Sequence, residues 1–134
     1  MNSEPFTKSC PCGSQASLDA CCGRFLHGFE AAPTPETLMR SRFTAFATGT
    51  DAAIAYLVET HHPDFRPPNL ESALRKGIGD THWLTLTVRN AGAAGDSGTV
   101  DFVATYRHKG QMGEMRESSN FVREKGLWLY MNGS

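Results

Sequence analysis

The chain has 134 residues, room for one ordinary domain and a small appendage but not for two full domains. Hydrophobic residues make up 40%, with eight Phe, two Trp and three Tyr, so a packed interior is expected and intrinsic disorder is excluded. Thirteen basic residues against fourteen acidic ones give a net charge of -1, which supplies no global field toward nucleic acid or an anionic membrane.

The first thirty residues differ in character from the rest. Residues 1–9 are short and polar, unlike a signal peptide, and no run approaches the roughly 20 apolar residues that span a bilayer, so a cytoplasmic, non-membrane protein is expected. All four cysteines fall between Cys10 and Cys22, as C-x-C, eight residues, then C-C. In a reducing compartment such a cluster reads as metal ligands rather than as a disulfide framework. Four thiolates suit one tetrahedral Zn²⁺ held by Cys10, Cys12, Cys21 and Cys22, a closed site that staples structure and activates no water. Gly13 and Gly23, each directly after a ligand, permit the turns that aim the sulfurs. Free thiols, a Cys21–Cys22 disulfide, a Cys10/Cys12 redox pair, or His27 in place of one ligand are the alternatives.

Ala31 to Pro35 reads as a stiff linker, placing a boundary near residue 32: a metal knuckle over 1–30 and an α+β domain over 31–134. Thr34 as N-cap and Pro35 at the first position open a helix whose apolar residues Met39, Phe43, Phe46 and Ala47 recur at helical spacing until Gly49. Asp51 is expected to cap a second helix and Asn69 a third, with a loop over 61–68 between them. After residue 80 the period becomes two, with Leu84, Leu86 and Val88 on one face of a strand and Val100, Phe102, Ala104 and Tyr106 on one face of the next. Turn signals over 90–98, 108–111 and 124–126 complete a four-stranded antiparallel meander. Helices followed by a meander give an α+β fold.

The cysteine segment resembles the SEC-C motif, the zinc-binding element of the SecA translocase and of many other bacterial proteins, through Cys10, Pro11, Cys12, Gly13, Ser14, Cys21, Cys22 and Gly23. It departs from that motif at Gln15, where Gly is usual, and at Ala16, Ser17 and Asp19, where Lys or Tyr are common. The remainder is similar to the YchJ family of bacterial proteins through residues 39–46, 56–63, 98–107, 121–124 and 128–130. That resemblance implies an NTF2-like cone, with helices packed on a curved antiparallel sheet around an apolar pocket. It implies no reaction, because such folds host enzymes and binding modules alike.

Within the second domain, His61 and His62 are candidates for acid–base chemistry, with Tyr106 as an orienting group, against the simpler reading of a solvated loop. Arg40 and Arg42 flank a strongly apolar face, and one or both are expected to pair with a carboxylate such as Asp101 or Glu117, or else Arg42 binds an anionic ligand if it lines a cavity. Trp83, Tyr106, Trp128 and Tyr130 are candidate ligand-stacking residues, although aromatic residues on strands more often build core. Glu114, Arg116, Glu117, Arg123, Glu124 and Lys125 read as a solvated face with cross-strand pairs. No phosphate loop, nucleophile elbow or helical zincin motif is present. The expected role is therefore a zinc-binding adaptor or small-ligand-binding protein, with a protein partner at the knuckle, while the larger domain holds a small apolar ligand in the cone or forms a homodimer through its sheet. The rival is an enzyme acting on a small hydrophobic substrate in the same pocket. Contact with nucleic acid through Lys8, Arg24 and His27 is disfavoured by the charge.

Overall fold

The computed structural model describes residues 9–28 and 30–134. In chain order it contains α1 (Gly23–Leu26), α2 (Pro35–Thr48), α3 (Asp51–Glu59), a 3₁₀ turn at Pro63–Phe65, α4 (Leu70–Asp80), then β1 (Thr81–Ala94), β2 (Ser97–His108), β3 (Gln111–Glu124) and β4 (Leu127–Gly133). The strands form one antiparallel sheet in sequence order, as the turn signals predict.

Local chemistry sets the helix ends. Thr34 Oγ1 accepts the Thr37 N–H at 3.1 Å, Pro35 presets the first turn, and Gly49 at φ 66° ends α2 in a left-handed cap. The cap of α3 is one residue earlier than the sequence suggests: Thr50 Oγ1 accepts the Ala53 N–H, while Asp51 sits inside the helix and pairs with Arg75 at 2.9 Å. Asn69 occupies the cap position of α4 but its side chain makes no capping bond.

Two-residue turns join the strands. Lys109-Gly110 and Lys125-Gly126 both hold positive φ at both positions, the type I′ geometry whose twist matches paired strands. Between Trp83 and Thr85 the β1–β2 register slips by one residue, a bulge at Leu84, and a second slip follows at Arg89. The Leu84 bulge places Trp83 on the same face as Leu86 and leaves Leu84 exposed, which corrects the unbroken alternation expected for β1. Bulges also bend strands, and a bent sheet is what leaves a hollow under the helices.

The chain then adds a partial fifth strand. His62 N–H donates to the Tyr130 carbonyl and Tyr130 N–H donates to the Thr60 carbonyl, both at 2.8 Å, so residues 60–62 run parallel to β4. Helix α2 lies on the sheet and is buried on nearly every side. Its Leu38 is almost wholly buried, as are Leu57, Val100 and Phe121 elsewhere in the core. Cys10, Cys12 and Cys22 belong to the same core cluster as Leu38, Phe43, Leu86 and Phe121. The knuckle, too short to own an interior, therefore borrows that of the sheet domain.

The caps give a direct contrast. Thr34→Ala and Thr50→Ala are each expected to cost about 1 kcal/mol in urea unfolding, whereas Asn69→Ala changes stability by only a few tenths, because its side chain satisfies no helix N–H. Equal losses at all three positions would contradict these assignments.

Candidate metal centre and ligand cavity

The knuckle is a small hairpin. Ser9 bridges Ser17, Cys10 N–H donates to the Ala16 carbonyl at 2.8 Å, and Gly13 turns at φ 87°. Gln15 also has a left-handed backbone, φ 71°, which supplies a physical reason for the Gly usual at that position in the motif. On the second arm, the amides of Cys21 and Gly23 both reach the Leu18 carbonyl. A Cβ at Gly23 would lie 2.8 Å from that oxygen, so only glycine follows the last cysteine without a shift. The short helix α1, which spacing alone did not reveal, starts there.

These turns bring four sulfurs together. All lie within 4.8 Å of one another, with Cys12 to Cys21 at 3.7 Å and Cys21 to Cys22 at 3.9 Å. Four thiolates around one small cation at about 2.3 Å need sulfurs about 3.8 Å apart. The four cysteines thus sit where they could hold one metal ion, and none is joined in a disulfide. The Cys10 thiolate is favoured by hydrogen bonds from Cys12 and Cys22, with Thr44 and the Cys12 amide adding to them. Proximity to Cys10 pushes Cys12 and Cys22 up, and burial adds to the shift. A cation at the centre would offset this crowding of negative charge.

Helix α2 grips the centre from one side. Thr44 Oγ1 lies 3.5 Å from Cys10 Sγ, and Arg40 donates from Nη1 to the Cys12 carbonyl at 2.8 Å while its Nε pairs with Glu36 at 3.0 Å. Ser14 donates its hydroxyl to Cys21 Sγ at 3.2 Å.

A cavity of about 260 Å³ opens on another face of α2. Met39, Arg42, Phe43 and Phe46, spaced i, i+3, i+4, i+7, form its floor; Leu70 and Leu74 of α4 and the strand residues Trp83, Phe102 and Met115 form its walls. His61, Glu117, Ser119 and Tyr130 are its other polar groups.

Arg42 does not make the ion pair expected of it. Nη1 donates to the Leu57 carbonyl at 2.9 Å and to Thr60 Oγ1 at 2.6 Å, and the guanidinium lies 4.7 Å above the Tyr130 ring. Burial, opposed only in part by Tyr130, Tyr56 and Glu117, pulls its pKa down to about 10. Glu117 points inward, contrary to the solvated-face reading, and accepts from Ser119 Oγ at 2.7 Å and from the Tyr130 hydroxyl at 3.3 Å. Burial, helped by Glu117, pushes Tyr130 up to about 12. Residues 115, 117, 119 and 121 share one parity on β3, so the signal for Glu117 and Ser119 lay in the alternation that was read only for β1 and β2.

The two histidines separate. His61 lines the cavity, is 8% exposed, and its Nδ1 has no hydrogen-bond partner among the described residues. Burial and then the nearby Arg42 charge lower its pKa below 6.5. His62 is buried as well, but it serves the fold: Nδ1 accepts the Asp64 N–H at 3.1 Å and Nε2 lies 2.8 Å from Glu124. An Nδ1 that accepts carries no proton, so Nε2–H is the donor to Glu124. The loop is therefore pinned rather than solvated.

The aromatic candidates divide too. Trp83 lines the cavity and packs edge-on against Phe43 at 6.2 Å. Tyr106 lies outside it, 5.1 Å from Trp83, over the space that Gly113 leaves on β3. Trp128 is core, covered by the Arg123 guanidinium at 5.1 Å. Arg24 is held by Glu30 at 3.5 Å, and Lys8 lies outside the described residues.

Three outcomes follow from this geometry. Gln15→Gly is expected to stabilise the protein by about 1 kcal/mol in thermal unfolding, and a loss would contradict the left-handed backbone. His62→Ala should cost about 2 kcal/mol, because it strips a partner from Glu124 and from the Asp64 amide; a neutral result would mean a solvated ring. For His61 the folded pKa is depressed, so the folded state accepts a proton at lower pH than the unfolded chain does. Stability is therefore full above about pH 6.5 and falls as pH drops through that value toward the folded pKa. The His61 ring protons should titrate below 6.5 by NMR, and titration above it would contradict the burial.

Residues 34–133 match the model of the family described as YchJ, middle NTF2-like domain. A UPF0225 protein of Streptomyces coelicolor is 44% identical over 127 residues, covering 95% of both chains. Another from an Enterobacter species is 38% identical over 131 residues, covering 96% of this chain and 84% of that one. Among solved structures, the solution structure of a SEC-C motif containing protein from Rhodopseudomonas palustris superposes with a TM-score of 0.83 at 32% identity, covering 94% of this chain and 97% of that one. With its cysteine cluster, its NTF2-like sheet domain and relatives that cover almost its whole length, the chain belongs to the YchJ, or UPF0225, family.

Proposed function

We propose that the protein is a small-molecule-binding protein whose ligand cavity is braced by one structural zinc ion. The observation that carries this reading is the double duty of α2, which touches the cysteine cluster through Arg40 and Thr44 and floors the cavity with Met39, Arg42, Phe43 and Phe46. Zinc is the favoured ion because four thiolates with near-tetrahedral spacing match its preferred ligand set, and reduced thiols fit a cytoplasmic setting. With four protein ligands no coordination position is open to a substrate, so the ion's part is to hold shape. Such sites contribute on the order of 10 kcal/mol in small zinc folds, which suits thirty residues without a core of their own. Among the described residues no helix is long and apolar enough to cross a membrane.

An enzyme in the same cavity is the second reading, supported by His61, a buried imidazole with a lowered pKa beside Tyr130. His62 drops out of that reading, since both of its nitrogens are engaged in holding the loop.

Native mass spectrometry of protein purified without chelators tests the main reading. One zinc per chain is expected, and Cys12→Ser should lose the ion and lower the melting temperature of the whole domain, because Cys12 lies in the shared core. A metal-free protein with an unchanged melting temperature would overturn the proposal.

A further inference from the structure

Arg42 brings a positive charge into a mostly apolar cavity, met by the Tyr130 ring at 4.7 Å and, beyond ion-pair distance, by the Glu117 carboxylate. Arg42 is 6% exposed, and no carboxylate among the described residues forms an ion pair with it. Its bonds run from Nη1 alone, to a carbonyl and a hydroxyl, both neutral. A guanidinium has five N–H donors, so the three on Nε and Nη2 meet no acceptor among the described residues. A cation removed from water with no carboxylate within ion-pair distance is costly to keep, and Tyr130, Tyr56 and Glu117 offset that burial only in part. The unbonded edge of that guanidinium leaves a place for a closer acceptor on what binds there.

The size and the second charge narrow the choice. A volume of about 260 Å³ lies near the lower end of the range for small-molecule sites and suits a small organic ligand. Glu117 also lines the cavity, with its Oε2 already accepting from Ser119 and Tyr130, and it opposes a second negative charge. With Glu117 ionised the cavity's own charges balance, so a phosphate dianion would leave two charges uncompensated, whereas a carboxylate seated directly on the Arg42 edge adds only one. His61 adds no positive charge while it is neutral.

We infer that the cavity takes a small organic monocarboxylic acid, with its carboxylate on the free edge of Arg42 and a compact aromatic or branched body against Phe43, Phe46, Trp83, Phe102 and Met115. This rests on the reading of the cavity as a ligand site. A planar carboxylate fits the guanidinium edge with two parallel bonds, which a single carbonyl cannot match.

Binding of phenylacetate and of its neutral isostere phenylacetamide to the full-length, metal-replete protein tests the inference, with calorimetry for affinity and the Trp83 indole N–H resonance for location. Phenylacetate is expected to bind about tenfold more tightly and to shift Trp83. Glu117→Gln should tighten phenylacetate about threefold and leave phenylacetamide unchanged. Arg42→Gln should remove the preference, and the Glu117 variant keeps the test open if Arg42→Gln fails to fold. Equal affinity for both compounds, or no gain in Glu117→Gln, overturns the anion inference while the cavity reading stands. Failure of both compounds to shift Trp83 overturns the cavity reading and the inference together.

Discussion

The convergence of four sulfurs on one point is the constraint from which the rest of the architecture follows. Cys10, Cys12, Cys21 and Cys22 close two short turns onto each other, and those turns hold only if something reconciles four sulfurs within 4.8 Å. Thiols at that spacing crowd, and thiolates repel; a cation turns the same geometry into a bond network. The consequence reaches beyond the knuckle, because three of the four cysteines are core residues packed with the helix and sheet that follow.

Helix α2 transmits that constraint. One side, Arg40 and Thr44, meets the cysteine hairpin; a second, Ser41, bonds the Tyr56 hydroxyl of α3 at 2.7 Å; a third, Met39, Arg42, Phe43 and Phe46, faces the cavity. A helix packed on three sides has few ways to move, so the position of Arg42 is set by contacts outside the cavity. The parallel bridge of residues 60–62 on β4 adds a second restraint, since the Thr60 hydroxyl and the Leu57 carbonyl are the groups that hold the guanidinium.

Much of this was legible in the residues. Cysteine spacing with glycine after each arm pointed to the metal cluster, Thr34-Pro35 to the start of α2, and period-two alternation with turn signals to the meander. What stayed hidden depended on contacts distant in sequence. The Leu84 bulge reverses the facing of Trp83, and no local pattern announces a slip that is decided by the partner strand. Thr50 rather than Asp51 caps α3 because Asp51 finds Arg75 on α4. His62 looked like a loop histidine until Glu124, 62 residues away, came beside it. Charge alone points Arg42 to a carboxylate partner, whereas its hydrogen bonds run to backbone and hydroxyl oxygens from α3 and its cap.

X-ray absorption at the zinc edge, on reduced protein purified without added metal, bears most directly on the sulfur constraint. The account predicts a single shell of four sulfur neighbours at about 2.3 Å and no light-atom ligand. A mixed shell containing nitrogen or oxygen, or the absence of any zinc from a folded sample, would contradict it.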